Sequence, residues 1–213
     1  MLSQIYPSSV VTIANASAAE EQLHPDEACA VRHALPQRQA EFAAGRACAH
    51  RALRELGFPD VTVPRAADRS PLWPDGVVGS ISHCEGFCGA VVARRSDVRG
   101  LGLDVERRGR VGQDLHDLIC TPREKAALGS ATDACDPVEV LFSAKESFYK
   151  AYHPATKVFL DFLDVDLKVD FSEGSFSAML LRDDAPSLYG ARIVKGRFGL
   201  TRDRVFTGVV LES

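Results

Sequence analysis

Two periodicities stand out along the chain. Leu101, Leu103 and Val105 alternate with Gly102, Asp104 and Glu106. Side chains two apart on a strand share a face. The segment therefore predicts a strand, Val98 to Glu106, that buries its apolar residues and presents two carboxylates side by side. Further on, Leu141, Ala144, Phe148 and Tyr152 recur at the helical period and predict a helix over 139–152, ended by His153-Pro154. Glu146 and Lys150 are four apart and share another face of that helix. Lys145 falls inside the apolar stripe, where a lysine must snorkel out or meet an anion.

The rest of the chain fills in around these segments. Residues 9–14 predict a short strand. His24-Pro25-Asp26-Glu27 opens a helix that stops near Pro36, with proline and acids in its first turn. A longer helix over 37–56 buries Phe42, Ala49, Leu53 and Leu56 and ends at Gly57. Pro59, Pro64 and Pro71 mark a loop over 58–72. Gly76 to His83 leads into a strand, and Gly89 to Arg94 is a strand expected to form a hairpin with Val98 to Glu106. Residues 107–114 read as a polar link between lobes, and Asp114 to Ile119 as a short helix. Thr121-Pro122-Arg123-Glu124 is a capping box that starts another helix. Residues 129–137 read as a loop. Beyond 154 the chain is strand-rich, with alternation at Val165, Leu167 and Val169 and at 175–180. A final hairpin turns at Arg202-Asp203-Arg204.

Composition narrows the class. The chain has 213 residues, 46% hydrophobic and 25% charged, which is ordinary for a globular protein. A net charge of −4 gives no broad electrostatic case for a nucleic-acid partner. The apolar runs are too short to span a bilayer. The opening segment, Met1 to Pro7, has neither a basic n-region nor a long apolar core, so a cytoplasmic location is expected. The six cysteines show no Cys-x-x-Cys spacing and are expected to be reduced and mostly buried.

The chemistry concentrates in two segments. Asp104 and Glu106 repel each other, and a cation relieves that cost. Oxygen-only ligation suits a hard ion, Mg²⁺ or Mn²⁺. Glu146 would add a third carboxylate, with Lys145 and Lys150 beside it for a metal-bound phosphate. Taken alone, the strand carboxylates could equally be a solvated strand edge, and Glu146 with Lys150 an ordinary ion pair.

Gly102-Leu103-Asp104-Val105-Glu106 and Phe142-Ser143-Ala144-Lys145-Glu146-Ser147-Phe148-Tyr149-Lys150 resemble the two signatures of 4′-phosphopantetheinyl transferases. Trp73-Pro74-Asp75-Gly76 through Ser82-His83, and Gly45-Arg46-Ala47-Cys48-Ala49-His50-Arg51-Ala52-Leu53, resemble two further motifs of that family. All four occur in the family's order across residues 45–152. The length resembles that of the two-lobed, broad-specificity group, the type that activates surfactin and enterobactin synthases.

The resemblance implies an α+β fold of two similar lobes related by a pseudo-twofold axis. Here these would be residues 1–106 and 107–213. It implies transfer of the 4′-phosphopantetheine arm of coenzyme A to a serine of an apo acyl or peptidyl carrier protein. Adenosine 3′,5′-bisphosphate would be released, and the enzyme would be monomeric. It assigns Asp104, Glu106 and Glu146 to Mg²⁺, with Glu106 the position where family members differ. Glu146 would also activate the serine, Lys150 would contact the phosphate, and Lys145 would support the site. Arg46, Arg69 and His83 would grip the nucleotide, joined by Arg54, Arg65 and Ser82. Carrier docking is expected near the lobe junction, through exposed apolar residues around 110–135, and Arg107, Arg108, Arg110, Arg123 and Lys125 would suit an acidic partner. Two other readings fit the same carboxylates: a different metal-dependent phosphotransfer or phosphohydrolase enzyme, and a catalytically silent coenzyme A binding protein.

Overall fold

A computed structural model describes residues 1–16, 22–128 and 136–212. The class is α+β, as the family resemblance implies. The chain forms two compact units, one of Leu2–Leu101 with Glu212, the other of Gly102–Leu211 with Met1. The boundary falls inside a strand, a few residues before the 106/107 division that the resemblance implies. Asp104 and Glu106 thereby belong to the same unit as Glu146.

The first unit contains α1 (Leu2–Ile5), β1 (Val11–Ala14), α2 (Pro25–Cys29), α3 (Pro36–Glu55), β2 (Val77–Cys84) and β3 (Phe87–Arg94). The strands form an antiparallel sheet in the order β1-β3-β2. Helix α3 packs on it, and Ala49, Ala52 and Leu53 join Val77, Ala90 and Val92 in one core. The sequence expectation carried α2 to Pro36, but the helix stops at Cys29. Past that point the amides of Ala30, Val31 and Ala34 bond three residues back, to Glu27, Ala28 and Val31, so the chain continues as tight turns. Glu27 is wholly buried, and its carboxylate meets His50 Nε2 at 2.8 Å. It also accepts from the amides of Val63, at 2.7 Å, and His24, at 3.0 Å. Burial pushes this carboxyl's pKa up, but the hydrogen bonds from His50, Val63 and His24 outweigh it and hold the group below its ordinary value.

Strand β4 (Val98–Arg107) carries the chain into the second unit. There follow α4 (His116–Ile119), α5 (Pro122–Ala127), α6 (Pro137–Thr156), a 3₁₀ turn at Phe162–Asp164, β5 (Val165–Asp170), β6 (Ser175–Leu180), β7 (Ile193–Leu200) and β8 (Arg204–Glu212). Thr121 caps α5 with the expected capping box. The expected loop over 129–137 lies mostly outside the described residues. The described part begins with Asp136, which caps α6 by accepting from the Val138 amide.

Two expectations change here. Strand β4 does not pair with β3. It joins a five-stranded sheet ordered β4-β8-β7-β6-β5, and the hairpin is β2–β3, turning at Glu85-Gly86. Alternation reveals which face a strand buries, not which strand it pairs with. Nor does Pro154 end α6, which runs to Thr156. In the last turn a proline forfeits only one amide bond, and left-handed Lys157 makes the actual stop, its amide bonding the His153 carbonyl.

The stripe Leu141, Ala144, Phe148 and Tyr152 is at most 2% exposed and packs against Val165, Leu167, Ala178 and Val209 of the sheet. Gly102 sets how close α6 comes to β4. A Cβ there would lie 1.8 Å from the Ser147 carbonyl oxygen, so only glycine admits this approach.

Candidate active site

Strand β4 delivers Asp104 into the interior of the second unit, where it is 2% exposed. A buried carboxylate needs partners, and α6 supplies two. Ser143 Oγ donates to Asp104 Oδ2 at 2.8 Å, and Lys150 Nζ donates to Oδ1 at 2.6 Å. Thr207 of β8 holds Ser143 in turn, its hydroxyl donating to the Ser143 carbonyl at 2.8 Å. Neither Ser143 nor Thr207 was singled out from the sequence. Ser143 could have been, since it stands one helical turn before Glu146 inside the signature. Thr207 carries no local signal.

Glu106 and Glu146 stand half-buried beside this pair. Burial, then the charge of Asp104, pushes the Glu106 carboxyl up to about 7, with Lys150 opposing and Glu146 adding to the rise. Burial also raises Glu146, which Lys150 lowers and Asp104 raises. Lys150 is raised: burial disfavours its charge, but Asp104, Glu146 and Glu106 more than compensate. Three carboxylates thus share one field, with Lys150 as their counter-charge.

As the side chains stand, no three His, Cys, Asp or Glu groups among the described residues are gathered into a metal-binding cluster. Asp104 already holds Lys150 and Ser143. The donor set nonetheless fits a hard cation in its chemistry. All three groups are oxygen donors, and burial, followed for Glu106 by the charge of Asp104, disfavours the ionised carboxylates, a cost that a divalent ion would relieve.

Lys145 is not at this cluster. Its ammonium is 2% exposed and donates to the Ile119 carbonyl at 2.7 Å, Glu124 Oε2 at 2.8 Å and the Phe162 carbonyl at 2.8 Å. This corrects the expectation that it supports the carboxylates directly. A lysine in an apolar stripe either snorkels or finds an anion, and Glu124, remote in sequence, is that anion. Beside it, Glu146, Tyr149, Phe159, Leu160 and Phe162 line a largely apolar cavity of about 140 Å³.

The first unit collects cations. Arg46, on α3, is 5% exposed and lies 4.2 Å from the centre of the Phe42 ring, and its Nε is a buried donor without a hydrogen-bond partner. Burial lowers its pKa to about 10; Glu27 opposes this, and Arg65 and Arg38 add to it. Arg38 meets His83 Nε2 at 2.8 Å. In the sequence Arg38 carries no distinguishing mark, since it is one arginine in the first turn of a helix. Arg65 and Arg69 line an open cavity of about 400 Å³ with Asp26 and Cys29. Arg69 adopts a left-handed backbone, φ 69°. Ser82 is buried on β2, and His83 pairs with Cys88 across the hairpin. Arg54 stands exposed in the last turn of α3, about two turns beyond Arg46. Trp73 covers Gly79, where a Cβ would come within 2.6 Å of the indole ring.

Residues 26–93 match the 4′-phosphopantetheinyl transferase N-terminal domain, and residues 100–204 match the 4′-phosphopantetheinyl transferase superfamily. The 4′-phosphopantetheinyl transferase Svp of Streptomyces mobaraensis is 39% identical over 196 residues, covering 90% of this chain and 79% of Svp. The chain belongs to the 4′-phosphopantetheinyl transferase superfamily. The 4′-phosphopantetheinyl transferase PptT of Mycobacterium tuberculosis is 36% identical, covering 88% of this chain and 85% of PptT. Enterobactin synthase component D of Escherichia coli strain K12 is 39% identical over 137 residues, 62% of this chain and 64% of that protein.

This transferase therefore belongs to enzymes that move phosphopantetheine from coenzyme A to carrier proteins. Among the described residues no helix is long and apolar enough to cross a membrane. Cys29, Cys48, Cys88 and Cys120 are free, and the last three are buried.

Proposed function

We propose that this transferase joins the phosphopantetheine arm of coenzyme A to a serine hydroxyl of an apo acyl or peptidyl carrier protein and releases adenosine 3′,5′-bisphosphate. The observation that carries this reading is Asp104, fixed by Ser143 and Lys150 beside Glu146 and Glu106 within one unit. Alcohol attack on phosphorus needs an aligned hydroxyl, a base and countercharge for the pyrophosphate.

Glu146 takes the serine proton. Its raised pKa, set by burial, brings it closer to neutral pH than an ordinary carboxylate and makes it a stronger base. Lys150, kept charged by the surrounding acids, meets the phosphate and steadies the departing bisphosphate. Asp104, Glu106 and Glu146 would hold Mg²⁺, which when bound supplies charge neutralisation at the pyrophosphate. Arg46, Arg65, Arg69 and His83 grip the nucleotide end, with Arg38 added on the strength of its contact with His83. The buried, unpartnered Nε of Arg46 is a donor suited to a phosphate oxygen. Ser82 and Arg54 contribute at the margin of the same grip. The apolar cavity beside Glu146 suits the pantetheine arm.

Incubation with coenzyme A, Mg²⁺ and an apo carrier protein is expected to add one phosphopantetheinyl group, read by intact-protein mass spectrometry and lost when the metal is chelated. A carrier left unmodified while coenzyme A binds would favour a silent binding protein. Release of phosphate or nucleotide without carrier modification would favour a phosphohydrolase.

The metal assignment also predicts a pH dependence. Ion binding requires ionised carboxylates, and the Glu106 carboxyl is raised to about 7. A raised acid is protonated below its folded pKa, over a range where an ordinary carboxylate would remain charged. Mg²⁺ affinity is therefore expected to weaken by about tenfold per pH unit below neutrality. Isothermal titration at acidic and alkaline pH measures this, and a dissociation constant that stays flat across neutrality would remove Glu106 from the ligand set.

A further inference from the structure

Helix α2 is attached to the first unit through its acids. Of its five residues only Glu27 is buried. Surface helices ordinarily hold their neighbours through an apolar stripe, which α2 lacks. Glu27 Oε1 accepts from the Val63 amide and meets His50 Nε2 of α3, while Oε2 accepts from the His24 amide. Burial disfavours the charged carboxyl, and these three bonds keep it ionised. An ionised carboxylate only accepts, so His50 Nε2 carries the proton that joins them. Next to it, both oxygens of Asp26 accept from the Thr62 hydroxyl, at 2.9 and 3.0 Å. The two acids of α2 thus grasp consecutive residues, Thr62 and Val63.

Thr62 and Val63 are the root of a small hairpin over 64–72. The Leu72 amide donates to the Pro64 carbonyl and the Ala66 amide to the Ser70 carbonyl, both at 2.9 Å, and Arg65 bridges to Pro71. This hairpin carries Arg65 and Arg69. Those two arginines line the same open cavity as Asp26 and Cys29 of α2. Glu27 also reaches the third arginine. Burial works against the charge of Arg46, and Glu27 supports it. His50 stands one turn after Arg46 on α3.

We propose that Glu27 is a positioning residue for coenzyme A: by tying α2 and α3 to the root of the 64–72 hairpin, it fixes where Arg46, Arg65 and Arg69 meet the phosphate on the ribose. This rests on the nucleotide grip assigned above. The nucleotide end of coenzyme A carries one phosphate of its own, on the ribose 3′ oxygen, and guanidinium groups match its geometry. Arginines on a hairpin bind an anion only as well as the hairpin is held in place beforehand. A buried acid that never touches the ligand therefore acts on affinity through preorganisation.

The test is steady-state transfer by Glu27→Gln and by Thr62→Val, with coenzyme A, 3′-dephospho-coenzyme A and carrier varied separately. Glutamine fills the same space, but whichever way its amide turns, an amino group faces a backbone N–H, of Val63 or of His24. The KM for coenzyme A is expected to rise about tenfold in Glu27→Gln and about fivefold in Thr62→Val, the scale of one lost hydrogen bond to a carboxylate. Both kcat and the carrier KM should stay unchanged, and the preference for coenzyme A over its 3′-dephospho form should narrow by the same factor. A merely less stable variant lowers the active fraction, and with it kcat, without moving either KM; that outcome would overturn the positioning role. So would a coenzyme A KM unchanged in both variants, or an equal rise for both forms of the coenzyme. If the unaltered protein transfers nothing, the transfer reading fails, and calorimetric titration of coenzyme A decides on Glu27 alone. Binding weakened about tenfold in Glu27→Gln would then support its role, and equal binding would overturn it. Failure of the unaltered protein to bind coenzyme A would overturn the nucleotide grip and the role of Glu27 together.

Discussion

The Glu146→Gln protein is expected to bind coenzyme A about as well as the unaltered enzyme and to lose turnover by roughly 10²–10⁴-fold, the range associated with loss of a general base. Glutamine keeps the shape of the side chain and can still reach a metal through its carbonyl, but it cannot take a proton at neutral pH. The proton acceptor is assigned to Glu146 rather than Asp104 because both Asp104 oxygens are engaged, one by Ser143 and one by Lys150. Single-turnover transfer together with calorimetric coenzyme A binding separates the two effects. Near-normal turnover would remove Glu146 as base, and loss of coenzyme A binding would recast it as a binding group.

The second large effect concerns stability. Lys145→Met is expected to cost about 3–5 kcal/mol, because it leaves Glu124 as a buried carboxylate without its cation. Glu124 is 2% exposed, and its other contacts are the amides of Thr121 and Leu167, each at 2.7 Å. The variant also strips the Ile119 and Phe162 carbonyls of a shared donor. Burial lowers the pKa of this lysine, and the contact with Glu124 opposes that shift, so charge and partner depend on each other. Thermal denaturation should show the midpoint falling by roughly 10 °C. A loss below about 1 kcal/mol, the scale of a surface pair, would show that Lys145 is not structurally engaged.

The two predictions separate neighbours in sequence. Glu146 and Lys145 are adjacent in the signature, yet one faces the carboxylate cluster and the other the α4–α5 segment. On a helix, consecutive residues point about 100° apart, so adjacency in a motif does not imply a shared role. A family signature therefore mixes residues of chemistry with residues of architecture.

Periodicity was informative wherever one face of an element is buried. The α6 stripe could be read directly from its spacing, as could the inward side of β4 and the start of α5 at Thr121. These signals are local, since apolar spacing and a capping box act over a few residues. The sequence also determined the class of chemistry. Two carboxylates on one strand and a third on a helix with lysines beside it fit a metal-bound phosphate, and the resemblance carried by the four motifs in order implies a transferase of phosphopantetheine.

What only the tertiary structure decided were the pairings between residues remote in sequence. It placed β4 beside β8 rather than β3. It gave Asp104 to Ser143 and Lys150, Lys145 to Glu124, and Arg38 to His83. It also matched the arginine and lysine near 123–125 with aspartates of the same chain. The physical reason is the same in each case. The side chains of Asp104, Lys145, Arg38 and Arg123 each present one kind of charge, and a local pattern reveals that such a charge needs a partner. Which partner it finds depends on which segments the fold brings within about 3 Å, the range of a hydrogen bond.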